Sequence, residues 1–164
     1  MPIELRTRKG RPPRVVLDNN IVLAALMFGG GRAAALRLSW QQGRCRPMVC
    51  KITLLDLVER LAHPRLGFSS AEQQSLLGEY LPYALKVRVA APDRGNAHTD
   101  PDGLPLVRLA MAGKAHALVT ADHELLALAD HFICPIMTLD GFAETLAQLP
   151  VIPLPKPIRI ALAA

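Results

Sequence analysis

The chain has 164 residues, 51% of them hydrophobic, with a formal charge of +5 and a sequence pI near 9.5. That length suits one domain with its own core, and no apolar run approaches the length of a membrane-spanning helix, so no membrane association is expected. Cys45, Cys50 and Cys134 are odd in number and lack CxxC or Cys/His zinc spacing, which predicts reduced thiols in a cytoplasmic protein.

Residues 1–13 are basic, and with Arg14 they carry five positive charges (Arg6, Arg8, Lys9, Arg11, Arg14). No apolar stretch follows, so they are expected to form a flexible leader rather than a secretory signal. A basic excess favours polyanions, nucleic acid first among them.

Residues 14–149 carry the predicted domain. Arg14–Leu17 is a short β-branched run ending at Asp18, as a buried parallel strand would. Helices are predicted at 21–27 and 32–42, separated by Gly29–Gly31. A phosphate-binding loop there would need a GK[ST] ending and a preceding strand, so the triplet reads as a helix break. A strand at 46–49 leads to a helix at 52–62, with Leu54, Leu55, Val58 and Leu61 at helical spacing before Pro64. A helix capped by Ser69 or Ser70 runs to Leu81, and an alternating strand spans 84–90. The stretch DRGNAHTDPDG is all turn chemistry. Beyond it a helix at 106–112, a strand at 117–120, a helix at 125–129, a strand at 133–137 and a helix at 140–147 complete the domain. Alternating strands and helices predict an α/β fold whose parallel sheet is covered on both faces. Residues 150–164 form a Pro-rich apolar arm, extended by Pro150, Pro153, Pro155 and Pro157.

Open parallel sheets place their sites at the carboxyl ends of strands. Asp18 and Asp122 stand at two such ends. Either acid alone reads as a helix cap. Two of them at strand ends point to a metal site, because an uncompensated carboxylate there is costly. Clustered carboxylates suit Mg²⁺ or Mn²⁺, which prefer oxygen ligands and retain water. The five histidines show no metalloprotease spacing. Glu59, three residues after Asp56, could join the acids but reads more simply as a partner of Arg60 or Lys51 or as a solvated residue. His123 could touch substrate but, like Glu124, reads as solvent-facing, and Arg32 and Arg37 either flank a substrate groove or solvate a helix.

Three segments together resemble the PIN-domain family. LDNNIVLAAL at 17–26 is similar to its first acidic motif, with Asn19 in place of the commoner Thr. DLVERLAHPRL at 56–66 resembles its helical acid motif, with Asp56 where Glu is usual, and VTADHELL at 119–126 resembles its last. The resemblance covers roughly residues 14–145. It implies a three-layer PIN-like fold with a central, mostly parallel sheet of about five strands. It further implies a ribonuclease that uses Mg²⁺ or Mn²⁺, with Asp18 and Asp122 as central ligands and Asp56 and Asp102 completing the cluster. Asn20 and Thr120 would orient carboxylates or water. The subgroup most resembled consists of toxin components of toxin–antitoxin pairs, so RNA, a cognate antitoxin and a homodimer partner are the implied associates. The sequence departs from the pattern at DPDG, where Gly103 stands at the position aligned with the third acid and Asp100 and Asp102 precede it. A binding module with weak catalysis on the same fold is the competing reading.

Overall fold

The computed structural model describes residue 5 and residues 10–90 and 104–149. The turn-rich stretch with Asp100, Asp102 and Gly103, the C-terminal arm and most of the basic leader lie outside them. Among the described residues five strands, β1 (Arg14–Leu17), β2 (Arg46–Val49), β3 (Leu85–Lys86), β4 (Ala117–Val119) and β5 (Ile136–Met137), form one sheet in the order β3-β2-β1-β4-β5. Every pairing is parallel. Seven α-helices of the described residues connect and cover them: α1 (Asn19–Met27), α2 (Gly31–Gln41), α3 (Lys51–Leu61), α4 (Ser70–Gly78), α5 (Leu104–Ala112), α6 (His123–Leu126) and α7 (Leu139–Gln148).

The pleat sorts the strand residues between two cores. Val15, Leu17, Val49, Ala117, Val119 and Met137 join one cluster with Val22 and Leu26 of α1, Leu36 and Trp40 of α2, Leu57 and Leu61 of α3, and Phe142 and Leu146 of α7. Val16, Met48, Leu118 and Ile136 point the other way, onto Leu106, Leu109 and Ala110 of α5 and Leu125 of α6. Strands buried on both faces read as unbroken apolar runs, which is why RVVL and ALV carry no polar alternation. The result is the expected three-layer α/β architecture.

Several elements differ from the sequence reading in extent. α1 begins at Asn19, two residues early, because the Asp18 side chain caps it by accepting the Asn20 backbone N–H. The predicted helix from Ser69 to Leu81 stops at Gly78 and gives way to a 3-10 turn at Leu81–Tyr83, which contains Pro82. The strands expected at 84–90 and 133–137 pair over two residues each, 85–86 and 136–137. The glycine triplet does break the helix: α1 and α2 meet at 96°, and Gly31 takes φ +74°. No single helix among the described residues is long and apolar enough to cross a membrane. All three cysteines are buried free thiols, and burial pushes Cys45 up to about 12 and Cys134 to about 11.

Candidate functional site

The strand order places a topological switch at β1 and β4. From the central strand β1 the chain moves outward to β2 and β3, then returns across it to start β4 on the other side. Parallel α/β sheets open a crevice at the carboxyl ends of the strands flanking such a switch. Asp18 directly follows β1, and Thr120 and Asp122 follow β4.

Thr120 joins the two sides. Its side chain is fully buried, its hydroxyl donates to Asp18 Oδ2 at 2.8 Å, and its oxygen accepts the Asp122 backbone N–H at 3.0 Å. The Asp18 backbone N–H donates in turn to the Val119 carbonyl at 2.9 Å, continuing the β1–β4 ladder to the acid itself. Thr120 therefore fixes one oxygen of Asp18 while the Asn20 backbone N–H reaches the other at 3.3 Å. Asp122 begins α6 and accepts the Glu124 N–H at 2.8 Å. Both acids thus cap helices and sit at the switch; the two roles coincide.

Asp56 stands on α3 in a second network. The buried Asn19 side chain donates from Nδ2 to the Thr53 carbonyl at 2.9 Å and to Asp56 Oδ2 at 2.7 Å. The same carboxylate oxygen accepts Arg60 Nε at 2.7 Å, an ion pair four residues apart on one helix. Arg60 Nη1 then donates to Asn20 Oδ1 at 2.7 Å. Asn19 and Asn20, immediately after Asp18, tie the first strand end to α3. The Asn20 side chain is thus engaged by the Arg60 guanidinium rather than by a carboxylate.

The expected site residues therefore fall in two side-chain networks, Asp18–Thr120–Asp122 and, with Asn19 and Arg60, Asp56–Asn20; the Asn20 backbone N–H links them through Asp18 Oδ1, and Asp102 lies outside the described residues. No three His, Cys, Asp or Glu side chains among the described residues come together as a metal-holding group. The donors available at the switch are nonetheless all oxygen, and Mg²⁺ is commonly held by one or two carboxylates with water filling the remaining positions. Asp18 and Asp122 meet that requirement in ligand type and number.

Arg60 and Asn19 are the members that sequence reasoning passed over. The spacing of Asp56 and Arg60 (i, i+4 on a helix) was the available signal for the ion pair. The contact from Arg60 to Asn20 spans 40 positions and leaves no local trace. Glu59 is exposed and Arg60 pairs with Asp56 instead. Arg32 and Arg37 pair with Asp140 and Glu79 at 3.2 and 3.5 Å. His123 and Glu124 are exposed, as the sequence suggested.

Comparison with known proteins supplies the family. No curated protein matches the sequence. Two solved structures share the fold at low identity. One is VapBC2 from Rickettsia felis bound to a DNA fragment from their promoter, with 15% identity, a TM-score of 0.53, and 76% of this chain and 98% of that chain covered. The other is PAE2754 from Pyrobaculum aerophilum, with 17% identity, a TM-score of 0.55, and coverage of 89% and 98%. A family model described as "PIN domain" matches residues 14–124, from the first residue of β1 through Asp122 to the start of α6. Because that match takes in both strand ends at the switch and the Asp56 helix between them, the chain belongs to the PIN domain family.

Proposed function

We propose that this chain is a ribonuclease dependent on Mg²⁺ or Mn²⁺, and that it is the toxin of a toxin–antitoxin pair. The observation carrying this reading is the Thr120 hydroxyl shared between the Asp18 carboxylate and the Asp122 backbone at the switch between β1 and β4. That arrangement holds two acids at one crevice with their supports already in place. Asp18 and Asp122 would be the central ligands and Asp102 the further acid of the set, while Asp56, held by Asn19 and Arg60, stands in the neighbouring network. Bound there, a divalent cation supplies Lewis acidity and neutralises charge gathering on the scissile phosphate.

The chain's own groups do the positioning. Thr120 donates to one oxygen of Asp18 and so orients the carboxylate. The Asp122 backbone, fixed by the same hydroxyl, sets the start of α6 and with it the second acid. Asn19 and Asn20 keep α3 beside the first strand end. The basic charge of the chain favours approach of a polyanion. The fold likeness to a chain of VapBC2, in a structure bound to a promoter DNA fragment, supports a cognate partner protein. A homodimer in the cytoplasm, its surface covered in part by the C-terminal arm, completes the proposal. The test is degradation of single-stranded RNA by the purified chain with Mn²⁺, with EDTA, and by Asp18→Asn and Asp122→Asn. Undiminished degradation in EDTA, or by either variant, refutes the assignment.

The second reading, a PIN fold that binds RNA or protein with weak catalysis, has its own observation: no three-ligand group among the described residues, and Gly103 at the position aligned with an acid. Restoring that acid with Gly103→Asp separates the two. A gain in metal affinity by calorimetry, accompanied by nuclease activity absent from the parent, favours the binding module.

A further inference from the structure

The Asp56–Arg60–Asn20 network contains a cation with donors that no other described residue takes. Arginine carries five N–H groups in a planar fork. In Arg60 the Nε group is fixed on Asp56 Oδ2 and one Nη1 group on Asn20 Oδ1, both at 2.7 Å. Two anchors on two separate atoms define the plane and the rotation of the guanidinium. The Nη2 edge carries no hydrogen bond to another described residue, and the side chain remains 42% exposed. Asp56 is itself held by Asn19, whose amide is buried and also bonded to the Thr53 carbonyl. The chain of supports therefore runs from a buried amide, through a carboxylate, to an oriented and partly exposed cation. Asn20, its second anchor, lies two residues from Asp18.

We propose that Arg60 is a substrate-binding residue that receives a phosphate of single-stranded RNA on its Nη2 edge, with Asp56 and Asn20 as the positioning residues that aim it. This inference rests on the ribonuclease reading, since it names how the same site takes its polyanion. An arginine whose orientation is fixed before binding loses little side-chain entropy on meeting a phosphate, and its fork matches phosphate oxygens in a way that an ammonium does not. Asp56 contributes through geometry although its charge opposes the ligand. That opposition makes the role testable by sign.

The experiment measures binding of a fluorescein-labelled single-stranded RNA by fluorescence anisotropy in EDTA, across a salt series, for the full chain. Arg60→Gln is expected to weaken binding about tenfold at low salt and to lower the salt slope by about 0.7, the value for one phosphate on a single strand. Lys114→Asn removes the same charge near the opposite end of the sheet and is the comparison. Arg60→Lys is expected to keep the salt slope while losing affinity. Asp56→Asn is the decisive variant: removing a negative charge next to a polyanion strengthens binding if only net charge matters, and weakens it if Asp56 aims Arg60. Circular dichroism and urea unfolding establish that each variant is folded. Tighter binding by Asp56→Asn, or an Arg60→Gln effect no larger than that of Lys114→Asn, overturns the proposal and leaves the ribonuclease reading standing. Failure of the parent chain to bind RNA in EDTA also overturns this proposal, while the ribonuclease reading is decided separately by degradation with Mn²⁺.

Discussion

Replacing Thr120 by valine keeps the buried shape of the side chain and removes the oxygen through which the two strand ends meet. Two hydrogen bonds disappear, the hydroxyl to Asp18 Oδ2 at 2.8 Å and the Asp122 N–H to the hydroxyl at 3.0 Å. The first goes to a carboxylate, for which the net contribution is roughly 1.5–3 kcal/mol, and the second leaves an N–H without its partner at a cost of roughly 1–3 kcal/mol. Both acids are partly exposed, so water recovers much of each loss and the low ends apply. The added methyl group in a fully buried position returns about 0.8 kcal/mol. The expected net loss is about 2 kcal/mol. With a urea slope of about 2 kcal/mol/M for a chain of this size, the unfolding midpoint should fall by about 1 M. Thr120→Ser, which retains the oxygen, should lose less. A double-mutant cycle with Asp18→Asn isolates the shared bond, and the two changes should couple by about 1 kcal/mol. A midpoint within about 0.25 M of the parent at an unchanged slope, or strict additivity in the cycle, would show that the hydroxyl does not join the two strand ends.

Three further outcomes are expected. A methyl group at Gly113 would overlap the Cε of the buried Met48 and lie 3.2 Å from Val87 Cγ2, so Gly113→Ala should lose about 1–3 kcal/mol by urea unfolding; parent-like stability would mean that Met48 swings aside freely. Burial first, and then the nearby Arg14 charge, lower the pKa of His116 below its usual 6.5, and its Nδ1 accepts the Arg14 backbone N–H. The unfolded chain then takes up a proton near that pH before the folded chain does, so stability is full above it and declines as pH falls through it. His116→Asn should flatten the difference in urea midpoint between about pH 7.5 and about pH 5.5, and an identical decline in both proteins would remove His116 from the account. Asn19→Leu should lose about 2 kcal/mol in thermal or urea unfolding by removing the buried donor shared by the Thr53 carbonyl and Asp56, and Asn19→Asp, which sets a carboxylate against both acceptors, should lose more. The reverse order would contradict the donor assignment at Asn19.

The central strands were legible because burial on both faces writes itself as uninterrupted RVVL and ALV. The outer strands were legible as elements but not in length. An edge strand pairs on one side only and extends no further than its neighbour, and β4 is itself three residues long. The apolar and basic alternation over 84–90 marks a half-exposed segment, of which only two residues find a pairing partner. Asp18 and Asp122 could be singled out because a carboxylate at the end of a buried run is costly and therefore conspicuous. Their support by Thr120 was expected in kind, though the sequence offered no means of choosing Asp18 as its partner across 102 positions. Asp56 was found by motif, while its engagement with Arg60 depended on rotamers that helix spacing allows without requiring. Asn19, read as a departure from a commoner residue, proved to be the buried donor beneath the second network, a role that only the packing of α1 on α3 creates.

The position of β1 in the middle of the sheet has a consequence for synthesis. β1 is made before the other described strands and is the central one, flanked by β2 and β4, so β2 can dock along one of its edges, and β3 beyond it, well before the other edge is covered. The strand that closes that second edge carries Thr120, 102 residues after Asp18, so at ordinary elongation rates the first acid waits roughly 5–20 s for its support. During that interval the nascent chain holds an apolar strand with one unpaired edge and a carboxylate without its hydroxyl. Closure of the sheet and completion of the candidate site are then a single late event, and a chain stalled before β4 would have neither.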